Sequence, residues 1–364
     1  MADAPKPQPD SATLREYELY DRSVDVVSAF HWLYTDTKEL PDLVAHFERY
    51  PTVKMRVGDT ETKITPDFTV LFKDGTGLVA EIANIARHEN SVEKLCRQLL
   101  NYSEITELPD GTGGTVPVKG VDVLFLTPMK TAGDAVQRVF SERLDNTDHW
   151  YSPDARPALM QFAQQPDEYV FQLWPDKSIN GNLRPHGDLK LASLDVPQLV
   201  VKPGHFAQNK VQYAFCNDPV PALYLATRLV VSVFPVMHAD PREAFTTTVE
   251  DITAVLRMQY GQGRTADVQR ALDLLKTAGL VTRAADSSWR ILRGRAGLGR
   301  ENVHISIATR AAKAAMPKPK PKPKAAQPMV AGSVPLFDNA EQLAALLDGR
   351  TAGEPEETTG DLTA

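Results

Sequence analysis

The sequence predicts a mixed α/β fold, and three observations support this. Residues 53–57, 64–72 and 77–82 have the pattern of three consecutive strands, the last two joined by a polar turn. Residues 121–128, with the sequence VDVLFLTP, are almost continuously apolar, which is typical of a strand buried on both faces. Helical spacing of apolar residues surrounds these strands.

The helices come from this spacing. In residues 92–104 one face of the predicted helix is apolar, and it consists of Val92, Leu95, Cys96, Leu99 and Tyr102. The other predicted helices span residues 24–33, 40–49 and 132–144. We therefore expect an αβββαβ core in the order helix, three strands, helix, strand, with a further helix after it.

The charge of the chain is unevenly distributed. The full chain has 40 Lys and Arg against 47 Asp and Glu, a net charge of -7, which at face value argues against nucleic acid as a partner. Residues 251–310, however, contain ten basic and five acidic residues, while residues 1–250 have a net charge of -11. This asymmetry predicts a nucleic-acid surface on the basic segment alone.

Composition excludes several classes of protein. A hydrophobic fraction of 42% with 24% charged residues excludes wholesale disorder and a fibrous repeat. The longest strongly apolar run, residues 229–237, is about half of the ~20 residues that a membrane helix needs, so no membrane span is expected. The N-terminus lacks the apolar stretch of a signal peptide, and Cys96 and Cys216 form no metal or disulfide pattern. We expect a cytoplasmic protein.

Two carboxylates on neighbouring predicted strands indicate a metal site. Asp67 follows Pro66 at the start of one strand, and Glu81 lies near the end of the next. Such strands can bring both side chains to one edge of the sheet, where the two charges repel each other unless a divalent cation lies between them. Carboxylate oxygens suit Mg²⁺, with a substrate phosphate as a further ligand.

At these residues the chain resembles the PD-(D/E)xK nuclease superfamily, whose members have the restriction-endonuclease-like fold. The resemblance covers roughly residues 38–145 and includes the order of the elements. It implies a Mg²⁺- or Mn²⁺-dependent phosphodiesterase of the endonuclease type. The metal ligands that it implies are Asp67, Glu81, the backbone carbonyl of Ile82 and a helical acid, Glu48 or, as second choice, Glu39.

The lysine of the superfamily motif is absent, because Ala83 stands two residues after Glu81. Some members of the superfamily have this lysine on the following helix, and Lys94 lies there. Gln98 is one turn from Lys94 on the same face, and the spacing from Gln98 to Tyr102 resembles that of the exonuclease and recombination branch. We therefore take Lys94 and Gln98 as candidate catalytic residues beside Asp67 and Glu81.

The basic segment resembles a winged helix. Helices are predicted at 221–233, 249–258 and 265–278, with Thr265 as N-cap and Gly279 after the last turn, followed by a β-hairpin. In that family the third helix enters the major groove and the wing contacts the DNA backbone. We expect Trp289 to pack in the core of the wing. The candidate DNA contacts that this resemblance implies are Arg264, Gln269, Arg270 and Arg290.

The expected organisation has seven parts. These are a flexible leader at 1–15, a PD-(D/E)xK-like domain at 16–150, an unassigned connecting segment at 151–215, a winged-helix domain at 216–310, a Pro/Lys-rich linker at 311–335, a short terminal helix at 336–350 and an acidic disordered tail at 351–364.

The favoured function is a DNA endonuclease of a mobile element, phage or defence system. The alternatives are a catalytically inactive adaptor with the nuclease fold and a transcriptional regulator. A protein partner for the C-terminal tail and a homodimer both remain open.

Overall fold

A computed structural model of the chain describes residues 10–37, 40, 42–57, 60–83, 89–154, 156–175, 198–240, 243–284, 287–292 and 302–316. Contacts join the chain up to Met316 into one compact unit. Glu39, residues 317–335 of the predicted Pro/Lys-rich linker, the predicted terminal helix and the acidic tail lie outside the described residues. The start predicted for this linker, residue 311, is wrong, because a helix that is anchored by the buried residues Val303 and Ile307 continues to Ala315. Within the described ranges, no helix is both long and apolar enough to cross a membrane.

The first half of the unit combines helices with a large sheet. Its elements, in chain order, are α1 (Ser11–Thr35), β1 (Val44–Arg49), β2 (Val53–Val57), β3 (Thr60–Ile64), β4 (Phe68–Phe72), β5 (Gly77–Ile82), α2 (Glu89–Ser103), β6 (Glu107–Pro109), β7 (Thr115–Pro117), β8 (Val121–Pro128), α3 (Met129–Ala135) with a π-helical continuation (Val136–Leu144), β9 (Ala158–Gln164), β10 (Tyr169–Leu173), β11 (Leu199–Val201) and α4 (Pro203–Gln212).

Seven of these strands form one mixed sheet in the order β1-β4-β5-β8-β9-β10-β11. Strands β5, β8 and β9 run parallel to one another, and the remaining neighbours are antiparallel. The continuous apolar run of β8 lies at the centre with every residue buried, as predicted. The connecting segment predicted at 151–215 in fact supplies β9, β10 and β11, so it extends the sheet.

Two predicted boundaries differ from the structure for local reasons. The leader predicted at 1–15 is shorter, because α1 begins at Ser11, where the Asp10 carboxylate accepts hydrogen bonds from the backbone N–H groups of Ala12 and Thr13. The single strand predicted at 64–72 is two strands, β3 and β4, because Pro66 lies between them and cannot donate to a ladder.

The helix predicted at 40–49 is wrong, because residues Val44–Arg49 form strand β1. A register shift between Val44 and His46 inserts one extra residue against β4. Val44 and Phe47 therefore both face the core although they are three residues apart. A bulged strand thus produced the apolar spacing of a helix.

Each face of the sheet packs against helices. The α1-side core contains Val26, Phe30 and Tyr34 of α1 against Phe68, Val70 and Phe171 of the sheet. On the other face, the α2-side core holds the predicted apolar stripe of α2. This stripe, Val92, Leu95, Cys96, Leu99 and Tyr102, is buried as predicted.

The second half combines helices with a small antiparallel sheet. Its elements are α5 (Ala222–Arg228) with a π-helical continuation (Leu229–Val233), α6 (Phe234–Met237), β12 (Phe245–Thr247), α7 (Val249–Tyr260), α8 (Thr265–Thr277), β13 (Val281–Arg283), β14 (Trp289–Ile291) and α9 (Val303–Ala315). The three strands pair in the order β12-β14-β13. Trp289 is fully buried, which confirms the core role predicted for it.

The ends of α8 show how the sequence stops this helix. The predicted N-cap is one residue off, because Arg264 occupies the cap position and Thr265 is the first helical residue. Gly279 has a φ of 73°, as a residue after the last turn requires. The N–H of Leu280 donates to the Leu275 carbonyl and that of Gly279 to Lys276, both at 2.9 Å, which is a Schellman motif.

Helix α1 joins the two halves. Its residues Tyr20 and Val24 belong to the C-terminal core, which also contains Tyr224, Leu256 and Leu272 of the later helices. The hydroxyl of Tyr20 donates to the carbonyl of Cys216 at 3.3 Å and accepts the Cys216 N–H at 3.1 Å. The segment that begins the second half is therefore held against α1.

Candidate active site

Asp67 and Glu81 lie opposite each other at one edge of the large sheet. The paired register of β4 and β5 ends with Phe68 facing Ala80, and Asp67 and Glu81 are the next residues beyond this pair. The N–H of Asp67 donates to the Ala80 carbonyl at 3.0 Å. The Asp67 Oδ2 accepts the Ile82 N–H at 2.6 Å. The charge of Glu81 raises the pKa of Asp67, so the two carboxyl groups lie close enough to interact electrostatically.

The two carboxyl groups resist ionisation. Burial and then the neighbouring Glu81 raise the pKa of Asp67 well above its ordinary value. Burial raises the pKa of Glu81 to about 7, although the hydrogen bond from Tyr102 acts in the opposite direction. At neutral pH the pair therefore retains a proton, which a divalent cation bound between the carboxylates would displace.

Helix α2 covers Glu81 with polar side chains. Tyr102 donates its hydroxyl to Glu81 Oε2 at 2.7 Å, and Gln98 Nε2 lies 3.4 Å from Glu81 Oε1. The positive charge of Lys94, which is exposed one turn before Gln98, lowers the pKa of Glu81. The apolar stripe fixes the rotation of α2, so Gln98 and Tyr102 both reach this carboxylate.

Two residues near the pair were missed from sequence. Asp218 raises the pKa of both carboxyl groups through its charge. Its segment is fixed by the Tyr20–Cys216 hydrogen bonds and by Asn217 Nδ2, which lies 3.5 Å from the Thr65 carbonyl.

Tyr50 is the second of these residues. Its N–H donates to the Asp67 carbonyl at 3.0 Å, and its φ of 49° is unusual for a residue other than glycine. Its hydroxyl is shielded from water without a hydrogen-bond partner among the described residues. Asp67 is one of the charges that raise the pKa of this hydroxyl, after burial and Cys216. No local motif marks Tyr50, and its left-handed φ is not visible in the sequence.

Glu48 does not lie where the resemblance implied. It is on strand β1 and not on a helix, opposite Thr69 of β4. Its carboxylate lies 3.2 Å from His46 Nε2. Both side chains line a cavity of about 480 Å³ next to the glycine-rich loop at 111–114. We therefore leave Glu48 out of the set that could hold a metal.

The remaining residues fit a cation bound by two carboxylates. Among the described residues, no group of three His, Cys, Asp or Glu side chains could hold a metal ion. Mg²⁺ needs only one or two protein carboxylates, because waters and substrate phosphates complete its shell. Asp67 and Glu81 suit this role, because burial disfavours the ionised form of both, Glu81 disfavours it further in Asp67, and a cation would offset these costs. The Ile82 carbonyl belongs to the same stretch of backbone that donates to Asp67.

The predicted DNA contacts are spread over α8 and the small sheet. Arg264 and Arg290 are exposed, at the start of α8 and on the central strand β14. Gln269 donates to Asp273 at 3.0 Å. Arg270 forms an ion pair of 2.6 Å with Asp267, which reduces the charge it offers to a phosphate.

Arg264 also connects this surface with the carboxylate pair. Arg264 and Asp218 line one small cavity of about 70 Å³. Because Asp218 acts on Asp67 and Glu81 through its charge, the beginning of α8 and the carboxylate pair flank the same segment of chain.

Comparisons with family models, with curated proteins and with solved structures gave no match to this chain.

Proposed function

We propose that the chain is a metal-dependent phosphodiesterase that acts on nucleic acid, with DNA as the expected substrate. The observation that carries this proposal is the opposed pair Asp67 and Glu81, at one edge of the sheet and covered by polar residues of α2. The resemblance to the PD-(D/E)xK superfamily supports the same function. Strands β1, β4 and β5 are successively antiparallel, β8 is parallel to β5, and α2 connects these last two, which is consistent with an αβββαβ core.

The side chains of the site have separate roles. Asp67, Glu81 and the Ile82 carbonyl would hold Mg²⁺ or Mn²⁺. When bound, such an ion supplies a water of lowered pKa and positive charge beside the scissile phosphate. Tyr102 and Gln98 hold the Glu81 carboxylate in one orientation through their hydrogen bonds. Lys94 supplies the cation that Ala83 does not, and from its exposed position it can approach a phosphate oxygen.

The second half of the unit would bind the DNA. The order helix, strand, two helices and hairpin, with three strands paired as β12-β14-β13, is consistent with a winged helix. In such a module α8 would enter the major groove and β14 would lie in the wing. Arg264 and Arg290 are the exposed cations that would contact phosphates there.

Cleavage assays test the proposal. The full chain is incubated with supercoiled and single-stranded DNA in Mg²⁺ or Mn²⁺, beside Asp67→Asn and Glu81→Gln. We expect cleavage by the wild type and a loss of at least about a hundredfold in both variants, because each removes a charge that balances the cation. Glu104→Gln, an exposed carboxylate just after α2, is the matched control and should cleave like the wild type.

Ala83 favours a second candidate, a non-catalytic adaptor that binds DNA. The Ala83 N–H donates to the Leu126 carbonyl at 3.0 Å, so this position is fixed beside β8. Its alanine side chain cannot supply the positive charge of the lysine that the superfamily motif has there. Salt-dependent binding to DNA without cleavage in either metal would support the adaptor and refute the phosphodiesterase.

A further inference from the structure

A cationic pocket lies at the edge of the sheet where the carboxylate pair lies. Strands β5, β8 and β9 are parallel and in register, with Ile82 beside Leu126 and Pro128 beside Phe162. Their carboxyl ends therefore share one edge, which is the usual place for ligands in open α/β sheets. Beyond the ends of β8 and β9 is a cavity of about 510 Å³.

The described residues that line this cavity include two cations and no acid. Arg22 comes from α1 and Lys130 from α3, while Gln164 ends β9. Met129, which is 41% exposed, forms part of the apolar wall. A volume of this size suits a small anionic group together with an apolar portion.

Neither cation has a carboxylate partner within the part of the chain that the structure describes. The Nε atom of Arg22 is shielded from water and has no hydrogen-bond partner among those residues. The acids nearest to it along α1, Asp21 and Asp25, lie 2.9 Å and 2.6 Å from the amino group of Lys210. Tyr169 also donates its hydroxyl to Asp25 at 2.8 Å. An unpaired guanidinium in a partly buried site favours an anionic ligand.

We propose that Arg22 and Lys130 bind a backbone phosphate of the nucleic-acid strand that is held at the carboxylate pair. Neighbouring strands are about 4.8 Å apart, so β9 lies roughly 10 Å from β5. One nucleic-acid strand, with a phosphate about every 3.4 Å of helix axis, spans this distance. The inference rests on the proposed function. It adds the path of the bound nucleic acid, which would run from the carboxylate pair towards the end of β9.

Binding in the absence of divalent metal tests the pocket separately from cleavage. The anisotropy of a fluorescein-labelled single-stranded oligonucleotide is measured with the full chain in EDTA over a series of KCl concentrations. We expect Arg22→Ala and Lys130→Ala each to weaken binding about tenfold and to reduce the slope of log affinity against log salt by about 0.7. Lys130 is exposed, so its removal leaves the core intact.

The matched control is Lys73→Ala. Lys73 is an exposed lysine in the turn between β4 and β5, at the opposite edge of the sheet from Asp67 and Glu81. We expect this variant to bind like the wild type and Lys130→Arg to keep most of the affinity. The proposal for the pocket would be refuted if Arg22→Ala and Lys130→Ala both bound with wild-type affinity. It would also be refuted if Lys73→Ala lost as much affinity as these variants, or if the wild type did not bind the oligonucleotide.

The cleavage assay separates the two proposals. A wild type that binds but does not cleave, with the expected losses in Arg22→Ala and Lys130→Ala, supports the pocket and refutes the phosphodiesterase. A wild type that cleaves, with unchanged binding in both variants, refutes the pocket and leaves the phosphodiesterase in place.

Discussion

Replacing Glu81 with Gln should stabilise the protein above neutral pH. Glu81 has a pKa of about 7 in the folded protein, against an ordinary value of 4.5. Between these two values the native state holds a proton that the unfolded chain has released. The free energy of unfolding therefore falls as the pH rises through this window and stays low above it. Gln keeps the shape and the hydrogen-bond acceptor for Tyr102 but has no charge to ionise.

The size of the effect follows from the pKa. One pKa unit corresponds to about 1.4 kcal/mol, so ionising Glu81 costs the folded state about 3 kcal/mol once the pH exceeds 7. Glu81 is partly exposed, and solvent screening reduces this to roughly 1–3 kcal/mol. We expect wild type and Glu81→Gln to have similar stability at about pH 5 and the variant to be more stable by that amount at about pH 8.

Urea unfolding, followed by tryptophan fluorescence in EDTA at both pH values, measures the difference. Glu104→Gln serves as control and should keep the pH dependence of the wild type. An identical pH dependence in wild type and Glu81→Gln would refute the reasoning. In a second series, Mn²⁺ should stabilise the wild type above pH 7, because the ion binds only the folded pair, and should have little effect on the variant.

Three further predictions concern the site and the second half. In Tyr102→Phe, the loss of the hydroxyl that donates to Glu81 raises the pKa of Glu81 further, so the rate of cleavage should rise only at higher pH, as a pH–rate profile will show. Trp289→Ala removes a fully buried side chain and should lower the free energy of unfolding by about 3–5 kcal/mol, measured by urea titration. Arg264→Ala or Arg290→Ala should flatten the salt dependence of duplex DNA binding by about 0.9 for each phosphate that the variant no longer neutralises, and an unchanged slope in both would contradict the α8 surface.

Short-range pattern was enough to predict the elements with one clear periodicity. Strand β8 is almost continuously apolar because it is covered on both faces, and α2 has an apolar stripe because one side packs on the sheet. The pattern failed at β1, where one extra residue in the strand produced a helical spacing. The pairing with β4 that creates this bulge cannot be inferred from residues 40–49 alone.

In the candidate site, too, some residues could be predicted from the sequence and others could not. Asp67 and Glu81 are neighbours in space because a single turn joins their strands, so their meeting could be predicted. Asp218 reaches them only because Tyr20, almost two hundred residues earlier, anchors Cys216. Arg22 and Lys130 line one cavity only because α1 lies at the carboxyl ends of β8 and β9. Contacts of this kind depend on the completed fold and leave no local signal.

Because α1 lies in two cores, the two halves of the unit cannot be separated from each other. One end of this helix belongs to the C-terminal core and the rest to the α1-side core. Removal of either half would expose apolar surface on the half that remains. Expression of the second half alone should therefore yield an aggregating fragment. Under the proposed function, a nucleic acid bound by α8 would lie at a fixed distance from Asp67 and Glu81. A flexible tether between the two halves would instead lower the effective concentration of the nucleic acid at the carboxylates. Exchange of the second half between such proteins would then require α1 to be exchanged with it.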